Sequence, residues 1–173
     1  MLPDLKTLEL GFKTSSAETY ICDRKHLVEG QSYDRFFDYD IFLADGTPLQ
    51  RPLVWTPLQQ SEWIWSLIYE RPVPPVAINH TGDTYEVIDG KQRLCTLGQF
   101  LRDEIKLLYG DAGFLFSELP DKYQDRIIRG RPILGYLAYD LSDHEKLQWF
   151  KWINYAGTPQ DQEHISKLEN LLK

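Results

Sequence analysis

The sequence predicts a single domain of the α+β class. A chain of 173 residues suits one compact hydrophobic core and leaves little room for a second. Hydrophobic residues make up 42% of the chain and aromatic residues 13%, so enough apolar surface is available to offset the ordering of the backbone. Strand-like and helix-like segments are mixed along the chain without an internal repeat, which favours a mixed α+β domain.

The N-terminal part is predicted to combine a peripheral arm with the first elements of the domain. Residues 1–35 are mixed and polar, and we expect an arm there with one strand near 19–22. The domain itself is predicted to span 36–173. Its first run, "FFDYDIFL" at 36–43, is aromatic and β-branched and is followed by the turn residues "ADGTP", so a strand and a tight turn are expected.

A helix and a hairpin are predicted next. Thr56 suits the N-cap and Pro57 the first helical position, so a helix should begin here and end before 71–72. The residues that recur at helical spacing, and so predict its core face, are Leu58, Ile64, Trp65 and Ile68. Two short β-type runs at 76–79 and 84–88 flank the turn "TGD", which predicts a hairpin.

One longer helix and several shorter elements complete the prediction. The helix spans 91–101, and its core face is marked by Leu94, Leu97, Phe100 and Leu101. The other predicted elements are a strand at 105–108, a helix at 121–129, a strand within 131–141, and helices at 143–154 and 160–173.

Charge and cysteine content narrow the class of protein. The formal charge is −7, from 19 Lys and Arg against 26 Asp and Glu, which disfavours non-specific binding to nucleic acid. Two cysteines do not make a disulfide framework, and the N-terminus has no charged-then-apolar leader, so we expect a cytoplasmic protein. No apolar run approaches the roughly 18 residues that span a bilayer, so no membrane partner is expected.

The stretch "TYEVIDGKQRLCTLGQF" places a glycine and two cations at a strand-to-helix turn. Gly90 can adopt conformations closed to other residues, and the first N–H groups of the following helix would point at an anion. Lys91 and Arg93 add positive charge, and Gln92 adds a neutral donor and acceptor. Together these are the parts of a phosphate site, although no Walker loop is present.

Asp89 fits that site only as a helix cap or as the ligand of a cation such as Mg²⁺. The alternative is an ordinary capped turn whose Lys91 and Arg93 are solvated, and the pattern alone does not decide between the two. Other candidates are weaker, because the four histidines are scattered and a structural zinc site needs four ligands. Packing is expected for Cys95 and for Trp63 and Trp65, whereas Trp55 is the best candidate for stacking on a base.

Three stretches carry a family resemblance. They are "LQRPLVWTPLQQSEWIWSLIYERPVPPVAI", "YEVIDGKQRLCTLGQFL" and "FKWINYAGTPQDQEHI". In order and spacing they resemble the N-terminal domain of GmrSD-type restriction endonucleases, whose hallmark is a DGQQR motif. The resemblance covers roughly residues 36–168 and implies a ParB/sulfiredoxin-like domain, with a small mixed sheet flanked by helices.

The resemblance also implies an NTP site whose base preference is open. The residues that it assigns to nucleotide binding are Gln50, Arg51, Gly90, Lys91 and Asn154. Among the carried-over residues we expect Asp89, Gln92 and Arg93 to be catalytic, and the chemistry of its carboxylate makes Asp89 also the expected Mg²⁺ ligand. The residues of the "NYAGTP" turn, Asn154, Gly157 and Thr158, either contact a ligand or only shape the turn. Lys91 stands where the hallmark has glutamine, so the case for binding is stronger than the case for hydrolysis.

The leading functional hypothesis is an NTP-binding regulatory domain related to DNA restriction and phage defence. The chain is expected to lack its own nuclease module and to act with an effector nuclease or another protein in trans, or to belong to a phage or mobile element. Whether it is a Mg²⁺-dependent NTPase stays open. The alternatives are a ParB-like module that binds or cuts DNA, which the negative charge disfavours, and a catalytically silent protein-interaction domain.

Overall fold

The computed structural model describes residues 15–22, 37–130 and 133–155, and within them the chain forms a mixed α+β domain, as predicted. The strands are β1 (Ser15–Cys22), β2 (Phe37–Asp38), β3 (Val76–Thr81), β4 (Thr84–Asp89), β5 (Leu107–Tyr109), β6 (Ala112–Phe114) and β7 (Ile133–Tyr139). The α-helices are α1 (Pro57–Ile68), α2 (Lys91–Leu101), α3 (Asp121–Arg129) and α4 (Asp143–Tyr155).

Five of the strands form one mixed sheet in the order β1-β7-β3-β4-β2. Strands β3 and β4 are the predicted antiparallel hairpin, β7 runs parallel to β3, and β1 is antiparallel to β7. The strand expected in the N-terminal arm is therefore an edge strand of the main sheet. Strands β5 and β6 form a separate hairpin.

The sheet has a buried cluster on each face. Because side chains alternate along a strand, Val76 and Ile78 face the larger cluster, in which α1, α2 and α3 pack, whereas Ala77 faces the smaller one, in which α4 packs. The end of β4 and the start of α2 lie between these layers. A ligand site there would rest on a rigid scaffold.

The predicted strand at 36–43 is wrong beyond Asp38. Only Phe37 and Asp38 pair with β4, and the backbone N–H of Asp40 then donates to Asp38 Oδ1 at 2.9 Å. Such a local side-chain bond competes with the strand ladder. The chain turns away, and Ile41 and Leu43 are buried in the smaller cluster.

The helix predictions are confirmed within the described residues. Helix α1 begins at the predicted cap: Thr56 Oγ1 accepts from the N–H of Gln59 at 3.3 Å, and Gln59 Oε1 accepts from the N–H of Thr56 at 2.9 Å. The bounds of α2 and α3 agree with the sequence prediction, whereas the helix predicted at 160–173 lies outside the described residues. No helix in the described ranges is long and apolar enough to cross a membrane.

Candidate functional site

The candidate site is built around the N-terminus of α2. Gly90 is the N-cap residue with φ +108°, and no side chain caps this helix, so the prediction that Asp89 caps it is wrong. The Asp89 carboxylate instead accepts from Arg93 one turn along the helix. The first backbone N–H groups of α2, from Lys91 onward, have no acceptor within the helix and are available to an anion.

Replacing Gly90 by alanine should lower the free energy of unfolding by about 2–3 kcal/mol. The added Cβ would lie 2.5 Å from Val76 Cγ1, at a φ that L residues rarely adopt. Urea denaturation measures the loss. Gly46→Ala is the control, because Gly46 also has positive φ (+82°) but a Cβ there meets nothing within 4 Å. Equal losses in the two variants would show that the close approach to Val76 is unimportant.

The side chain of Arg93 is a buried structural contact. Arg93 Nη2 lies 2.7 Å from Asp89 Oδ2, and the two side chains are only 12% and 21% exposed. The same guanidinium donates to the carbonyl oxygens of Pro74 and Pro75. Burial lowers the pKa of Arg93 from its ordinary value, and the charge and hydrogen bond of Asp89 oppose that shift. Arg93 therefore ties the chain before β3 to α2.

Lys91 is also engaged by the protein. Its Nζ lies 2.6 Å from Asp40 Oδ1, with the lysine side chain 8% exposed and the aspartate 75% exposed. The alternative in which Lys91 and Arg93 are solvated is therefore wrong. Lys91 holds the loop after β2 against the helix start.

Gln92 makes the third such contact. Its Oε1 accepts from the N–H groups of Val54 at 3.0 Å and Trp55 at 3.3 Å, and its Nε2 donates to the carbonyl oxygen of Pro52 at 2.9 Å. One side-chain amide thus serves three backbone groups of a segment without regular structure.

The structure brings the predicted upstream pair, Gln50 and Arg51, to the motif. A cavity of about 160 Å³ is lined by residues 89–93 and by Gln50, Arg51, Trp55 and Phe150. The Gln50 side chain donates to the carbonyl oxygen of Val87, whereas Arg51 is exposed. Of the cations predicted for the site, Arg51 is therefore the exposed one.

A larger cavity of about 810 Å³ lies beside the first and shares with it Arg51, Trp55, Asp89 and Arg93. Its other lining residues include Leu58, Glu62, Trp63, Val73 and Asn154. The prediction that Leu58 belongs to the core is wrong, because Leu58 is 63% exposed. The sequence held a signal for this, because Leu58 shares one helix face with the polar residues Glu62 and Ser66 at i, i+4 spacing. A face with two polar residues is more often exposed than buried.

The sequence comparison decides the family. Residues 39–172 match the family described as GmrSD restriction endonuclease, N-terminal domain. The chain belongs to this family. The predicted resemblance is thereby confirmed, and with it the relation to DNA restriction. No curated protein and no solved structure gives a significant match, so the ParB/sulfiredoxin-like fold stays a prediction.

The other residues singled out in the sequence of this GmrSD N-terminal domain lie in different environments. Trp63 is buried and Trp65 Nε1 donates to the carbonyl oxygen of Leu108 at 3.0 Å, which confirms packing for both. Cys95 is half-buried and forms no disulfide. Asn154 lines the larger cavity, and its Nδ2 donates to Phe150 O at 2.7 Å, whereas Gly157 and Thr158 lie outside the described residues.

The smaller cavity offers few groups that could bind Mg²⁺. The described part of the GmrSD N-terminal domain holds no group of three or more His, Cys, Asp or Glu side chains that could bind a metal. Asp89 is the carboxylate of the smaller cavity, and one of its oxygens already accepts from Arg93. A Mg²⁺ ion at this cavity would therefore have one protein carboxylate and would need other oxygen ligands, such as those of a phosphate.

Proposed function

We propose that this GmrSD N-terminal domain binds a nucleoside triphosphate, with its phosphates at the start of α2 and its base in the larger cavity. The observation that supports this most is the sharing of Arg51, Trp55, Asp89 and Arg93 by a small polar cavity and a larger apolar one. A nucleotide has the same two-part chemistry, with a polyanion at one end and an aromatic ring at the other.

The phosphate end is supported by backbone groups and one exposed cation. The free N–H groups at the start of α2 and the positive end of the helix dipole favour an anion. The exposed guanidinium of Arg51 lines the same cavity and can donate two parallel hydrogen bonds to phosphate oxygens. Arg93 adds positive charge to the wall of the cavity, while its hydrogen bonds remain with Asp89 and the carbonyl oxygen of Pro75.

The base end is supported by size and by aromatic surface. The smaller cavity, at about 160 Å³, is below the range of about 300–1,000 Å³ typical of small-molecule sites, whereas the larger, at about 810 Å³, is within it. Half-buried Trp55 lines both and offers a face on which a base can stack. Leu58 and Val73 add apolar surface around it.

The proposal is for binding rather than for hydrolysis. The side-chain amide of Gln92 is hydrogen-bonded to the segment before α1, and Arg93 pairs with Asp89. In this arrangement both residues stabilise the site and neither is free to act on a phosphate. Mg²⁺, with Asp89 as its protein ligand, would neutralise phosphate charge when bound. We further propose that the nucleotide-bound domain regulates an effector nuclease in trans in the cytoplasm, by analogy with restriction systems.

Titration calorimetry of the full chain with ATP, GTP, CTP and UTP, each with and without Mg²⁺, tests the proposal. Arg51→Ala should weaken NTP binding by about 10- to 100-fold, because it removes a charge-assisted contact to phosphate. Since Arg51 is exposed, the variant should keep the stability of the wild type. Arg129→Ala is the matched control and should bind normally, because Arg129 is the last residue of α3 and lines neither cavity.

Absence of binding by the wild type to all four nucleotides would rule out the proposed function. Retention of a DNA duplex at low salt, lost in Arg51→Ala, would favour the DNA-binding alternative instead. Equal weakening in Arg51→Ala and Arg129→Ala would mean that only the net charge matters.

A further inference from the structure

We infer that Gln92 is a positioning residue, whose side chain holds residues 51–55 so that Arg51 and Trp55 stand over the start of α2. The expected effect on ligand affinity rests on the proposed NTP binding. The attachment of the segment by Gln92 does not depend on it. Gln92 was predicted to be catalytic. Its hydrogen bonds point to a different role.

The segment 51–55 is an irregular connection between the smaller buried cluster and α1. It is part of no strand or helix, and Pro52 lacks a backbone N–H. Gln92 lies 37 to 40 residues farther along the chain and forms three hydrogen bonds with this segment, to Pro52 O, Val54 N and Trp55 N. All three come from the single amide of Gln92.

The segment is anchored differently at its ends and in its middle. At one end the Gln50 side chain donates to Val87 O in β4, and at the other Thr56 forms the cap of α1. Between them Leu53 and Val54 are 46% and 51% exposed, so burial holds the middle only weakly. The Gln92 amide therefore supplies the attachment that the apolar side chains do not.

The position of this segment decides the shape of the candidate site. Arg51 at its start and Trp55 at its end line both cavities. If the middle of the segment were released, a nucleotide would have to order it on binding, and affinity falls when a ligand must order its own site. The loss expected is roughly tenfold, the equivalent of ordering about one residue of backbone.

Amide hydrogen exchange in the nucleotide-free full chain tests the holding role directly. In Gln92→Met the amides of Val54 and Trp55 should exchange at least about tenfold faster than in the wild type, because their acceptor is gone. In Gln92→Glu the carboxylate can still accept from both amides, so their protection should be largely kept. The amide of Leu49, which donates to Ile41 O at 2.9 Å, is the internal control and should not change.

Nucleotide titration of the same variants tests the consequence. Gln92→Met should bind NTP roughly tenfold more weakly. If Gln92 acts through Arg51, the double variant with Arg51→Ala should lose less than the sum of the two single losses in binding free energy, which a general loss of stability would not produce. A thermal unfolding curve for each variant confirms that the folded state is populated.

The two proposals fail in different ways. Unchanged exchange at Val54 and Trp55 in Gln92→Met overturns the positioning role, whatever the nucleotide results. Faster exchange there, with no NTP bound by the wild type, supports the holding of the segment and rejects the proposed function. Normal NTP affinity in Gln92→Met, despite faster exchange, overturns the link between the segment and the ligand.

Discussion

Arg93→Ala is expected to lower the free energy of unfolding by about 3–5 kcal/mol, the range for breaking a buried ion pair from one side. The Asp89 carboxylate would lose the partner that lies 2.7 Å away, and the carbonyl oxygens of Pro74 and Pro75 would lose their donor. Urea denaturation monitored by tryptophan fluorescence gives the free energy of unfolding directly.

Arg129→Ala is the matched control for this prediction. Arg129 and Asp125 are also an i, i+4 pair, at 3.3 Å, but their side chains are 71% and 59% exposed. An exposed pair of this kind contributes about 0.3–0.5 kcal/mol, so the control should unfold almost as the wild type does. Similar losses in the two variants would contradict the burial argument.

This result would also change how Arg93 is used in binding experiments. A variant that loses several kcal/mol is partly unfolded under ordinary assay conditions, so its loss of NTP binding says little about phosphate contact. Arg51 is the better probe, since it lines the same cavity and is exposed.

Lys146→Met is expected to destabilise the domain by a similar amount, about 3–5 kcal/mol, on the opposite face of the sheet. Lys146 Nζ lies 2.7 Å from Glu86 Oε1, and both side chains are nearly buried. The other oxygen of Glu86 accepts from Asn79 Nδ2 at 2.5 Å, and Asn79 Oδ1 accepts from Leu141 N at 3.1 Å. Removing the ammonium leaves a buried carboxylate at the centre of this network.

Two further variants separate this network from a general effect of removing a lysine. Lys122→Met, on the exposed side of α3, should change the free energy of unfolding by less than about 0.5 kcal/mol. Adding Glu86→Gln to Lys146→Met removes the unpaired charge and keeps an acceptor and a donor beside Asn79, so it should restore at least half of the loss. No recovery in the double variant would show that the ion pair is not the cause.

The three polar side chains of the motif at 91–93 share one arrangement. Each forms a hydrogen bond to a different segment of the chain: Lys91 to the loop at Asp40, Gln92 to the segment 51–55, and Arg93 to the chain before β3. Lys91, at a position where the family resemblance leads us to expect glutamine, adds an ion pair to the support of the site. Its effect on a bound phosphate would be indirect.

The sequence by itself determined the helices of the described residues, the β3–β4 hairpin and the family. Helical periodicity and the Thr56 cap predicted α1, and the same periodicity after Gly90 predicted the bounds of α2, because these signals are local. Three ordered stretches predicted the family, which the match over 39–172 confirms. The meeting of Gln50 and Arg51 with the motif was implied by the resemblance, and the structure places them together.

Only the tertiary structure decided where the motif side chains go. The partners of Lys91, Gln92 and Arg93 lie up to 51 residues away in the sequence, and their positions depend on how the sheet and helices pack. The sequence pattern could not show that Asp89 pairs with Arg93 rather than capping α2. A buried polar group takes whichever partner the fold brings within hydrogen-bonding distance, and that choice is not encoded in local spacing.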